Sequence, residues 1–162
     1  MIAPPELADN VMSRPNAAVD VITEIDIARP VAIVAGYAAD PDHAPEWYDN
    51  IRSVHWRTDP PAQIGSVVTF TARFLGRTLN YDYEFVEFEP GARVVMRTAH
   101  GPFPMETTYT WAPNADATHM TLRNRGQPAG FSRRLAPLIV PAMRRANRKD
   151  LTTLKILLER ST

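Results

Sequence analysis

The sequence predicts a single α+β domain in which a curved, seven-stranded antiparallel sheet wraps a long C-terminal helix and leaves an apolar hollow between them. Three features predict it: a series of β-patterned runs joined by short turns, two short helical segments inserted after the first of them, and one long amphipathic stretch at the end. With 162 residues, 44% of them apolar, the chain is long enough to bury one sizeable core unaided.

Residues 1–18 carry Pro4, Pro5 and Pro15 among Asp9, Asn10, Ser13 and Asn16, and are expected to form a flexible N-terminal tail, with the domain occupying 19–162. In VDVITEIDI, Val19, Val21, Thr23, Ile25 and Ile27 share one parity and Asp20, Glu24 and Asp26 take the other, the period of a half-buried strand. Pro30 suits the first turn of a helix through VAIVAGYAA, and Pro45 that of a second short helix in APEWYDN. Six further strand-like runs follow between Ile51 and Arg125, punctuated by Gly65, Gly76, Glu89-Pro90-Gly91, Gly101-Pro102 and Pro113-Asn114. Short connections favour antiparallel pairing, because parallel pairing needs long crossovers.

From Phe131 to Glu159 the apolar positions recur at helical spacing, with Leu135, Ile139, Ala142, Met143, Ala146, Leu154 and Leu157 on one broad side and Arg144, Arg148 and Lys155 opposite. Pro137 and Pro141 fall towards the Arg144 side. Either they bend one helix around the sheet, or Pro141 starts the main helix after a separate turn; both remain open at this point.

This order of elements resembles the SRPBCC superfamily, the START-like or helix-grip group that includes a polyketide cyclase/dehydrase branch. The resemblance is carried by VDVITEIDIARPVAIVAGYAADPDHAPEWYDNI at the front and LAPLIVPAMRRANRKDLTTLKILLE at the back. It implies a cavity between sheet and helix, used by different members for lipids, polyketides, quinones, hormones or protein partners.

Alternation places Phe70, Tyr81, Tyr83, Met96, His100 and Tyr109 on the concave side of the sheet, with Met143 facing them from the helix and Trp47 at the second short helix. Any one such side chain more often just fills a core. As a group their tyrosine hydroxyls need partners, which favours their lining a binding cavity for an apolar or amphipathic molecule. His100, beside Gly101-Pro102, is the most interesting titratable candidate, although a solvated turn histidine is the favoured account of it. Trp47 reads first as an anchor for its helix.

No residue is assigned a catalytic role. The chain has no cysteine, and His43, His55 and His119 lack metal-ligand spacing, so neither a metal nor another cofactor is expected. Glycine-rich phosphate loops, GxSxG and HExxH are absent from the sequence. Eighteen basic residues balance eighteen acidic ones, so no overall field draws the molecule to nucleic acid. Neither a secretory signal nor an apolar run of spanning length is evident, and a cytoplasmic protein without stable membrane insertion is expected, as monomer or homodimer.

The expected function is binding or carriage of a small hydrophobic or amphipathic ligand (lipid, polyketide or quinone-like). The alternatives are a polyketide cyclase/dehydrase-type enzyme, or a protein- or RNA-interaction module using the basic C-terminal helix, where Arg133, Arg134, Arg144, Arg145, Arg148 and Lys149 cluster.

Overall fold

In the computed structural model of the chain, residues 19–74, 76–98, 103–128 and 131–161 are described. The expected tail and His100 lie outside them. The elements run β1 (Val19–Ile27), α1 (Val31–Ala38), a 3-10 turn (Pro41–His43), α2 (Ala44–Trp47), β2 (Ile51–Trp56), β3 (Val67–Phe74), β4 (Arg77–Glu89), β5 (Arg93–Thr98), β6 (Met105–Asn114), β7 (Ala117–Gly126) and α3 (Phe131–Arg160).

Seven strands pair antiparallel throughout, in the order β1-β7-β6-β5-β4-β3-β2. Only β1 leaves the sequential meander, crossing to pair with β7. The helices between β1 and β2 make that crossing and put α1 and α2 on the concave side, where α2 packs against α3. This is the helix-grip architecture.

Register carries the alternation of the sequence into space. Thr107 faces Met96 and Asn124, while Tyr109 faces Val94 and Leu122, so inward residues of neighbouring strands stand side by side. One irregularity breaks simple parity. A bulge between Phe85 and Glu87 inserts an extra residue into β4, so that Phe85 opposes Met96 and Phe88 opposes Val94, and both rings reach the core.

The long helix is continuous, which settles the proline question: Pro137 and Pro141 sit within it, both exposed on its outer side. Its inner face is not the stripe expected. Ala142 and Ala146 are exposed, and among the described side chains of the helix the buried ones are Ala136, Asn147, Asp150, Leu151, Leu154 and Leu158. The helix is therefore rotated relative to an apolar-only fit, turning two polar side chains inward. No described helix is long and apolar enough to cross a membrane.

Leu154 is fully buried in the main core, whereas Leu138 on the same helix is 71% exposed. Leu154→Ala should therefore cost about 2–5 kcal/mol by transfer and cavity terms, while Leu138→Ala stays within about 0.5 kcal/mol. Urea unfolding midpoints compare them, and equal losses would contradict the packing of α3.

Candidate functional site

Two apolar clusters fill the space between α3 and the sheet. The larger contains Trp47, Phe70, Phe85, Met96, Tyr109, Leu122, Leu151 and Leu154. The smaller joins Val19, Val21 and Phe103 to the partly buried Met105, Ile139, Val140 and Met143. Between them runs a polar belt. On β6 it is Thr107, between Met105 and Tyr109; on β7 it is Asn124, between Leu122 and Gly126; on α3 it is Asn147, between Met143 and Leu151.

The belt is hydrogen-bonded in one direction. Asn147 Nδ2 donates to Asn124 Oδ1 (2.7 Å), and Asn124 Nδ2 donates to Thr107 Oγ1 (2.9 Å). Thr107 in turn hydrogen-bonds the Tyr83 hydroxyl. Thr107 Oγ1 has one proton and two acceptor lone pairs, so beside the bond it accepts from Asn124 it can either donate to or accept from the Tyr83 hydroxyl, and it ties that phenol to the belt. Burial pushes that phenol up to about 12, keeping it protonated.

A second phenol pair lies beside the first. The Tyr48 and Tyr109 oxygens are 2.5 Å apart, so one donates to the other and one O–H remains. Desolvation raises both, and the negative charge of Asp150 adds to the effect. Trp47 walls this pair, its ring centroid 3.9 Å from Tyr48 and 5.9 Å from Tyr109. Asp150 Oδ1 accepts the Asp49 N–H at 3.1 Å, but burial outweighs this and lifts the carboxyl to about 6.

The expected site residues therefore divide. Trp47, Phe70, Met96 and Tyr109 are buried within the main core. Tyr81, Tyr83 and Met143 are only partly buried, as are Met105, Ile139 and Val140. Phe70 meets Tyr83 edge-on at 5.7 Å, and its register partner Tyr81 extends the same wall. Composition alone did not single out Tyr48, Asn124, Asn147 and Asp150. For Asn124, Asn147 and Asp150 the signal was a polar residue at a core-facing phase of a strand or helix, whereas Tyr48, just after α2, carried none.

Elsewhere, Arg133, Arg134, Arg144, Arg145 and Arg148 are exposed and without carboxylate partners among the described residues, and Lys149 pairs with Asp49 at 3.2 Å. His119 lies on the convex face beside Asp26 (2.8 Å) and Glu24 (3.7 Å). His43 stacks on Tyr37. Among the described residues no group of three or more His, Asp or Glu side chains is placed to hold a metal.

A family model described as polyketide cyclase / dehydrase and lipid transport matches residues 18–159. Among solved structures, a protein of Thermus thermophilus superposes with a TM-score of 0.75 at 18% identity, covering 88% of this chain and 99% of its own. The Zhui aromatase/cyclase of Streptomyces sp. R1128 gives 0.74 at 15% identity, with 87% and 93% covered. A protein of Nitrosomonas europaea gives 0.71 at 18%, with 89% and 96% covered. At these identities the superpositions establish a shared fold. No curated protein shows significant similarity to the sequence.

The raised Asp150 carboxyl has a sign. Between its ordinary value of 3.8 and about 6 the folded state holds more protons than the unfolded chain, so this group's contribution is most favourable at low pH and is lost as pH rises through 6. Asp150→Asn removes the charge and retains an acceptor for Asp49. It should raise stability at pH 8 by on the order of 1 kcal/mol and leave it nearly unchanged at pH 4. An equal effect in thermal melts at both pH values would contradict the assignment.

Proposed function

Because the chain belongs to the polyketide cyclase/dehydrase and lipid-transport family, we propose that it binds a small, largely apolar molecule bearing oxygen acceptors under the first half of α3. The observation that carries this reading is the hydrogen-bond chain from Asn147 to Tyr83, which brings a phenol hydroxyl to the edge of the apolar cluster around Met143. A phenol in so apolar a setting has hydrogen-bonding capacity beyond its one bond to Thr107, and a ligand carbonyl, quinone or hydroxyl oxygen can use it. Met105, Ile139, Val140 and Met143 supply the apolar wall, and methionines tolerate varied shapes. Tyr81 and Tyr83 favour a flat, oxygenated skeleton of polyketide or quinone type over a plain acyl chain, since rings stack and phenols orient.

One feature supports a catalytic reading beside this one. A carboxyl titrating near 6, close to two coupled phenols, is suited to moving a proton to or from an enolisable carbonyl compound. In this reading Asp150 serves as acid or base, while the Tyr48–Tyr109 pair holds the developing oxyanion. It needs the same bound ligand and adds turnover to it.

Thermal melts with a panel of polycyclic phenols, quinones and fatty acids test the binding reading. At a hundredfold excess over Kd a fitting ligand stabilises the fold by about 2.7 kcal/mol, raising the midpoint by roughly 5 °C or more. Tyr83→Phe, which removes only the donor, should weaken binding of an oxygenated ligand about tenfold and leave fatty acid binding unchanged. No midpoint shift with any panel member at saturation, or an unaltered affinity in Tyr83→Phe, contradicts the proposal. Asp150→Asn separates the two readings: it abolishes turnover of a converted ligand while preserving its binding.

A further inference from the structure

A second recess lies on the flank of α1, between that helix, the turn at 41–43 and the end of β2. It is a cleft of about 730 Å³, within the range of about 300–1,000 Å³ that small-molecule sites occupy. Its α1 wall, Ala32, Ala35, Gly36 and Ala39, carries nothing larger than a methyl group, and a Cβ placed on Gly36 would meet no atom within 4 Å. Trp56, Phe88 and Trp111 form the facing side.

The charges lining this cleft are all of one sign. Asp40 and Asp42 are its only ionisable residues, and neither lysine nor arginine lines it. Each acid is held in place through one oxygen. Asp40 Oδ1 accepts the Asp42 N–H at 3.0 Å, and Asp42 Oδ1 accepts the Trp56 Nε1–H at 2.8 Å. The second oxygen of Asp40 is 3.9 Å from His43 Nδ1, and that of Asp42 has no partner among the described residues.

A separate observation points to a guest. Trp111 is 5% exposed, lines the cleft, and its indole Nε1 has no acceptor among the described residues. A buried donor left unmet costs about 1–3 kcal/mol, and of the two unpartnered indoles, Trp47 and Trp111, Trp111 is the one that lines this cleft, where a guest oxygen can meet it. Indole faces present negative potential and attract cations, and two fixed carboxylates reinforce that sign while repelling anions.

From this arrangement we propose that the α1 cleft is a second binding site, for a small organic ammonium ion with an apolar, oxygen-bearing body. The ammonium group sits against Asp40, Asp42 and the Trp56 ring, and the body lies along the alanine and glycine wall. A body oxygen reaches towards Trp111. The site is separate from the space under the first half of α3, which is bordered by Thr107, Asn124 and Asn147 and by Met105, Ile139 and Met143, none of which lines the cleft.

The three tryptophans make the test site-specific, because each gives one indole N–H signal in a ¹H–¹⁵N spectrum. Titration with benzyltrimethylammonium should move the Trp56 and Trp111 signals saturably and leave that of Trp47 in place. Asp40→Asn, which preserves the capping acceptor, should weaken this binding about five- to tenfold. Gly36→Leu, which projects into open space, should abolish it while the remaining spectrum stays folded. Absence of a saturable shift up to the solubility of the probe overturns the proposal. So does an equal response to benzenesulfonate, or a response confined to Trp47.

Discussion

The hydrogen-bond chain Asn147–Asn124–Thr107–Tyr83 is the constraint on which the rest of the interior depends. It ties α3 to β7, β6 and β4 at one level, and each link uses a group that would be expensive to bury alone. Because Asn147 must face Asn124, α3 cannot turn its most apolar stripe inward, and Ala142 and Ala146 are left outside. The same chain divides the interior. On one side Leu151, Leu154 and Phe85 pack with Trp47 into a closed core; on the other, Met105, Ile139 and Met143 are only partly buried against the smaller cluster.

That division reconciles stability with binding. A single apolar core wrapped around the whole helix would close under its own hydrophobic drive, since every gap forfeits contacts. Polar groups placed midway set a boundary that collapse does not cross without breaking hydrogen bonds. The closed compartment carries the fold, and the partly exposed one is where we propose that the guest binds.

Much of the fold was legible in the sequence because its signals are local and repeated. Alternation in VDVITEIDI and in the runs holding Phe70, Tyr81, Tyr83, Met96 and Tyr109 assigned each inward face correctly, as the register shows. Simple parity failed at the bulge after Phe85, where one inserted residue brings Phe88 inward, and no local residue type announces that insertion. On α3 the apolar pattern misjudged rotation by roughly one residue, because it weighted alanines over Asn147 and Asp150. The polar belt is non-local: Asn124 and Asn147 become partners only once β7 and α3 are placed against each other. The Tyr48–Tyr109 contact, between the residue that ends α2 and one on β6, was hidden for the same reason.

Native mass spectrometry of the protein with an oxygenated polycyclic ligand, alongside a Met143→Trp variant that fills the partly exposed compartment, tests the central claim most directly. One guest per chain on the unmodified protein and none on the variant is the predicted result. A bare chain at every ligand concentration, or a guest retained equally by the plugged variant, would contradict it.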